Sequence, residues 1–396
     1  MGPPETRSPP PVAAGEGPKS STYRKRLTHK DTPARREDYA RERYWLHGQI
    51  RRLLIGDAAR IKPGAHAGNV HRVTACTWVR VDDLSLIRPR GRDSYHYKGL
   101  ATCGSVWTCP LCASKIQERR RQEVLQAITW AASNRHGVAM LSLTFPHRIE
   151  QPLSLLLTLQ QAALKSLRGS RAYMDLMREV GAAGRIRALE VTHGENGWHP
   201  HTHELLFLSP AVDRAWLQSR LASLWLKACR KVGLFQPDRD DELNFLRYSV
   251  DVQKGGEGVG SYLAKLDDQR TWGISHELTK SSSKQGRRSG RHPFKLAAMA
   301  STSALFVEYV HAMKGGRQLV WSRRLKAAVG VSEKSDEEIA QEEAAQVDDR
   351  IALSVDAWRF VLGNDARWEL TEAAKSGGVV EVEEFLRLLG YQPGGG

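Results

Sequence analysis

The chain reads as an α+β protein built on an antiparallel sheet, and three observations predict this. Strand-like and helix-like segments are mixed through the centre of the sequence and do not alternate as regular βαβ units. Two of the strand-like segments are joined by a short Gly-flanked turn, the connection that antiparallel neighbours use. At 396 residues the chain exceeds one ordinary core, so further modules are expected on either side of the sheet.

Residues 1–40 are rich in Pro, Gly, Ser and charge with few apolar anchors. Such a segment cannot offset its ordering entropy by burial and is read as a disordered basic tail. An N-terminal region over 41–133 is expected to hold a short helix at 44–54, short strands at 72–81 and 95–100 around a cysteine-bearing module, and a charged helix at 114–133. A central region follows over 134–280. Within it the apolar run GVAMLSLTF at 137–145 predicts a buried strand. Helices are expected at 153–167 and 172–180, and two strands at 186–208 around the turn Gly194-Glu195-Asn196-Gly197. An amphipathic helix at 216–232, a strand at 244–252 and a short helix at 258–267 complete the region. Residues 281–332 comprise a basic loop, SSSKQGRRSGR, and helices. Over 333–396 a polar acidic linker leads to a last helical module at 351–391.

Lys and Arg number 59 against 44 Asp and Glu, a net charge of +15, which predicts a polyanionic partner. No apolar run is long enough to span a membrane. The N-terminus has no apolar signal region, and Gly2 with Thr6 fits only loosely the pattern for myristoylation, with Pro following the glycine. Five unevenly spaced cysteines argue against a secreted disulfide framework, so a cytoplasmic protein is expected.

The most informative segment is ALEVTHGENGWHPHTHELLFL at 188–208. Counting outward from the turn sets His193 against Trp198 and Glu190 against His201. Side chains alternate along a strand, so His199, His201 and His203 share one face of the second strand while Ala188, Glu190 and Thr192 share it on the first. Two imidazoles and a carboxylate then converge on one patch, a set suited to a divalent cation such as Mg²⁺ or Mn²⁺ with positions left for a phosphate oxygen. The competing reading is an ordinary half-exposed polar strand. Further along, GVGSYLAKL sets Tyr262 and Lys265 three residues apart, on one face of a helix. A tyrosine attacking phosphorus stores the bond energy as a phosphotyrosine, and a nearby ammonium steadies the charge that develops.

The order SLTFPH (142–147), GWHPHTH (197–203), SYLAKL (261–266) resembles the three ordered motifs of the HUH endonucleases. Together with CGSVWTCPLCASKI before the first motif, it is similar to the rolling-circle plasmid replication proteins (Rep) of actinobacteria over roughly 73–325. The resemblance implies an HUH endonuclease domain with a central antiparallel sheet flanked by helices, preceded by the cysteine-rich module and followed by a helical C-terminal region. It implies His201, His203 and Glu190 as metal ligands, Tyr262 as nucleophile, Lys265 as its companion, and Thr144 in a supporting motif. Some relatives carry a glutamate one helical turn before the tyrosine to activate water in the terminating cleavage. Here that position is Gly258, with Glu257 one residue off the face. Plasmid origin DNA, single-stranded or in a hairpin, is the implied substrate. No G-x-x-x-x-G-K-[ST] motif is present, so unwinding is assigned to a host helicase acting with a host polymerase.

Cys103, Cys109 and Cys112 form C-x5-C-x2-C, and Cys76 lies upstream on an expected strand. The CPLC pair is knuckle-like, and the four thiols offer a structural Zn²⁺ site, with buried free thiols as the other outcome. Cys229 reads as core. For phosphate contacts the candidates are Arg119, Arg120 and Arg121 on one helical turn and Arg287, Arg288 and Arg291 in the basic loop, and for base stacking Trp198. A conjugative relaxase or tyrosine-type transposase shares the chemistry. A non-catalytic zinc-containing DNA-binding regulator would account for the charge and cysteines but leave Glu190, His201, His203 and Tyr262 without a role.

Overall fold

A computed structural model describes residues 33–254 and 290–392. In chain order the elements are α1 (Pro33–Ile61), α2 (Ala67–Val70), a 3-10 turn (Arg72–Thr74), β1 (Arg80–Pro89), β2 (His96–Leu100), α3 (Pro110–Ser133) and β3 (Gly137–Leu143). Then come α4 (Leu153–Gly169), α5 (Arg171–Glu179), β4 (Gly184–Gly194), β5 (Gly197–Leu208), α6 (Arg214–Val232), α7 (Glu242–Tyr248) and β6 (Val250–Lys254). After the segment outside the described residues follow α8 (Pro293–Ala297), α9 (Ser303–Ala312), β7 (Leu319–Trp321) and α10 (Leu325–Val329). The chain closes with α11 (Asp336–Gln341), β8 (Val347–Ala352), α12 (Val355–Gly363) and α13 (Arg367–Leu388).

The strands form two antiparallel sheets, one of five in the order β6-β3-β5-β4-β7 and one of three in the order β2-β1-β8. The expected α+β class is thus the observed one. Period-two alternation gives the large sheet two apolar faces. One, with Leu141, Leu143, Leu206 and Leu208, packs against Leu156 and Leu164 of α4 and Leu217, Leu221 and Trp225 of α6. The other, with Met140, Ile186, Leu205 and Phe207, packs under Val124, Ala127 and Ala131 of α3 and Leu325 and Val329 of α10. Helix α6 has firm ends: the Asp213 side chain accepts from the Trp216 amide, and Gly233 closes it at φ +80°.

Leu46, Ile50 and Leu54 of α1 join the same core as the large sheet, so packing runs across the segments that composition distinguishes. A second, smaller core lies under the three-stranded sheet, where Leu84, Leu86 and Tyr95 meet Ile351, Trp358, Val361 and Leu370.

Several local expectations are corrected. Helix α1 begins at Pro33, inside the segment read as a disordered tail, because its apolar stripe finds a core that composition alone does not reveal. Cys76 is not on a strand; its amide bonds back to Val73 in a 3-10 turn, and β1 begins only at Arg80. The segment 244–252 is half helix, since Asp241 caps α7 through the Asn244 amide before β6 starts. The acidic stretch from 333 is no plain linker: Ser335 and Glu338 form a capping box for α11, whose Ile339 is fully buried. The last module opens with a strand, β8, paired to β1. Among the described residues no helix is long and apolar enough to cross a membrane.

Candidate metal centre

The β4–β5 hairpin turns through two residues, with Gly194 paired to Gly197. Gly197 sits at φ +82°, and a Cβ there would lie 2.8 Å from the Ile149 Cα, so both the turn and the neighbouring loop require glycine. That fixes the register as Glu190 opposite His201, Thr192 opposite His199 and Ala188 opposite His203, the register obtained by counting from the turn. His199, His201 and His203 lie on the α3 side of the sheet, the face that also carries Met140 and Leu205.

Nε2 of His201 and Nε2 of His203 lie 3.3 Å and 3.2 Å from one oxygen, Oε2 of Glu190. The neighbouring strand holds the rings. Ser142 of β3 pairs with His203 and its Oγ lies 2.9 Å from Nδ1, while Nδ1 of His201 is 3.2 Å from the His199 carbonyl oxygen. A ring that donates from Nδ1 presents the Nε2 lone pair to a cation, and such partners fix tautomer and ring plane. His199 is held in turn, its Nε2 2.8 Å from Thr144 Oγ1. His147, whose Nδ1 donates to the Asn196 carbonyl, packs its ring 4.7 Å from that of His199.

Burial works against charge on Glu190, but the imidazoles of His201 and His203 outweigh it and hold the carboxyl well below the usual carboxylate range. Burial, with His201 and His147 adding to it, pushes His199 down to about 3, and burial pushes His292, within electrostatic reach of Glu190, down to about 4. The patch is therefore one carboxylate beside His199 and His292, two rings that burial keeps neutral at physiological pH. Three side chains leave coordination positions open, and the side chains of Glu190 and His201 are 30% and 17% exposed. The donor set fits a divalent cation.

Tyr262, Lys265, Gly258, Glu257, Arg287 and Arg288 lie outside the described residues. The chain leaves toward them from β6, an edge strand paired to β3, and returns at Arg291, whose backbone exchanges two hydrogen bonds with His193 at the hairpin end. Both flanks of that segment are thus fastened to the sheet that carries the histidines. Arg291 itself is exposed.

The four cysteines meet although they come from a turn, a loop and the start of α3. Sγ separations are 3.7 Å for Cys76–Cys109, 3.6 Å for Cys76–Cys112 and 3.7 Å for Cys103–Cys112. Tetrahedral zinc with bonds of about 2.3 Å requires edges of about 3.8 Å, whereas a disulfide brings sulfurs to about 2.05 Å. All four are buried, and hydrogen bonds from Cys103, Cys109 and Cys76 hold Cys112 far below the ordinary thiol range. The donor set fits zinc closed on all sides.

Two surface expectations are corrected. Trp198 is 2% exposed and stacks on Tyr309, so it is a packing residue that no base can reach. Arg120 is enclosed by Glu123 of its own helix and Asp336 of α11 with its side chain only 13% exposed, and Arg121 pairs with Glu118 and Arg119 with Glu123. Acids thus answer the arginine turn from both sides. Sequence reasoning missed Ser142, whose role depends on strand pairing across 61 residues and leaves no local signal.

Residues 98–233, from β2 through the hairpin to the end of α6, match a family described as replication protein. A "Protein rep" of Streptomyces lividans is 27% identical over 353 residues, covering 70% of this chain and 76% of that protein. A "Neomycin resistance protein" of Streptomyces cyanogenus is 28% identical over 140 residues, 29% of this chain and 32% of that protein. No solved structure matches.

Proposed function

We propose that the chain, which is similar to a family of replication proteins and to a Streptomyces Rep, initiates rolling-circle replication by cutting one strand of a plasmid origin. The observation that carries this reading is the meeting of two Nε2 atoms and one carboxylate oxygen on a sheet face where Glu190 is partly exposed. Glu190, His201 and His203 would hold Mg²⁺ or Mn²⁺, and the chemistry such a cation would supply there is Lewis-acid polarisation of the scissile phosphate. Ser142 and Thr144 keep the imidazole rings in place. The Tyr262 phenolate oxygen bonds to phosphorus, the bond from phosphorus to the 3′ oxygen breaks, and the freed 3′ hydroxyl takes up a proton and serves as primer. The 5′ end remains as a phosphotyrosine, from which strand transfer restores the DNA backbone. Lys265 steadies the charge on the attacked phosphate. Cys76, Cys103, Cys109 and Cys112 would hold a structural Zn²⁺, the protein acts in the cytoplasm, and a host helicase unwinds the duplex while a host polymerase extends the primer.

The test is a supercoiled plasmid carrying the origin. The full chain should convert it to open circles bearing protein on the 5′ end, only while Mg²⁺ or Mn²⁺ is present. Tyr262→Phe should retain origin binding and form no adduct. An undiminished adduct would move the nucleophile elsewhere, first to Tyr248, which is 62% exposed at the end of α7. Full nicking after exhaustive chelation would remove the cation from the histidine face.

A further inference from the structure

A third group of metal-ligand side chains lies away from both sites. Asp57 is in the last turns of α1, His71 just before the 3-10 turn and His311 near the end of α9. Nε2 of His71 lies 2.8 Å and Nε2 of His311 2.9 Å from the same oxygen, Oδ2 of Asp57. The ligand residues are 14 and 254 positions apart in sequence, so only the tertiary fold assembles them. Asp57 and His71 are buried, with side chains 3% and 8% exposed, and the His311 side chain is 42% exposed. The group repeats the composition of the Glu190 patch, two Nε2 atoms converging on one carboxylate oxygen.

We infer that Asp57, His71 and His311 bind a divalent transition cation of the zinc class, which clasps α1 to α9. Adjacent ligands around one such ion, with bonds of about 2.0–2.1 Å, are separated by about 2.9–3.4 Å, close to the spacing observed. Arg60 lies 2.6 Å from the other carboxylate oxygen, Oδ1, which fixes the carboxylate plane and leaves Oδ2 aimed between the rings, as partners of metal ligands do. Two imidazoles with one carboxylate suit ions of the zinc class, and here, unlike at the hairpin, no substrate phosphate oxygen is called on to complete the oxygen-rich shell that Mg²⁺ prefers. His71 and His311 line a cavity of about 840 Å³, so water can complete the coordination from the exposed side. The clasp needs no thiolate and stands whether or not the hairpin binds a cation.

The test uses the full chain carrying His201→Ala and His203→Ala, which silences the hairpin while the cysteines keep the metal acquired on expression. Titrated with Co²⁺, this protein should bind one further equivalent, giving weak visible bands without intense thiolate absorption in the near ultraviolet. Adding His311→Ala should weaken that binding by more than about a hundredfold. Asp57→Asn keeps the side-chain shape and should act in the same direction. Zn²⁺ should raise the melting temperature of the parent and leave that of the His311→Ala protein unchanged, because only a cation held by the native fold stabilises it. Unaltered Co²⁺ stoichiometry in both variants, or no equivalent bound by the parent, would reduce the group to an ion pair between Asp57 and its two histidines and overturn the inference.

Discussion

The histidine face and the cysteine cluster are both sets of converging ligand atoms, yet they are built in opposite ways. Glu190, His201 and His203 stand on consecutive inward positions of one hairpin, partly open to solvent. Cys76, Cys103, Cys109 and Cys112 come from separated turns and are buried on all sides. Three donors with an open side leave room for a substrate atom, and four donors with none leave room only for the ion. The contrast fits the proposed roles, chemistry at the first and support of the fold at the second. On the proposed reading one chain would use two metals: thiolates select zinc, while two imidazoles and a carboxylate with room for a phosphate oxygen admit Mg²⁺ or Mn²⁺.

The largest effect should come from the closed cluster. Cys109→Ser should cost more than about 5 kcal/mol of stability, since a structural zinc contributes about 10 kcal/mol or more to folding, and thermal melting and bound zinc should fall together. Lost nicking at an unchanged melting temperature would break the contrast. Trp198→Ala should cost about 3–5 kcal/mol by leaving a cavity against Tyr309, with origin affinity of the folded fraction intact; a selective loss of affinity for single strands would restore it as a stacking residue. On the open face, Glu190→Gln should change stability by less than about 1 kcal/mol, while nicking at low metal falls by about a hundredfold and partly recovers as Mn²⁺ is raised. Glu204 points to the opposite face, where it pairs with Arg168 and Arg185, so Glu204→Gln should alter stability but not metal dependence. Ser142→Ala, which removes only the partner of the His203 ring, should weaken metal binding about tenfold.

The smallest effect is on pH dependence. The His199 imidazole is pushed down to about 3, against about 6.5 for a free ring. Between those values the unfolded chain binds the extra proton, so this group lowers stability as pH falls from about 6.5 and has no effect above it. His199→Gln should flatten that limb in melting curves taken from pH 7 to pH 4. A slope identical to that of the parent would show that other buried rings, such as His47, also pushed down to about 3, carry the effect.

The hairpin was legible in the sequence because everything it needs is local: a turn of fixed length, a period of two and a dozen residues. Counting from Gly194 and Gly197 is enough to set Glu190 opposite His201. The cysteine set could be named but not placed, since Cys76 reads as strand until its partners are known, and the cluster in fact requires a turn there. The strand expected at 244–252 shows the reverse failure, where an Asp241 cap outweighs the β propensity of the residues that follow. Least legible were contacts between distant segments. Ser142 under His203, Asp336 on Arg120 and β8 beside β1 follow from the tertiary arrangement and leave no pattern in any one stretch of chain.

The pairing of β8 with β1 bears on how the protein is made. Tyr95 donates its hydroxyl proton to Asp349 from 254 positions away in sequence, and Leu86 lies beside Ile351. During synthesis β1 and β2 emerge early and then wait, with one strand edge uncovered, while the whole large sheet is translated. Closing the small sheet is thus a late step that joins the two ends of the described chain. A ribosome that stopped before residue 347 would release a product with the histidine face and all four cysteines but an open, adhesive edge, a ready substrate for chaperones and proteases. The small sheet in this way makes a closed fold conditional on translation having passed β8.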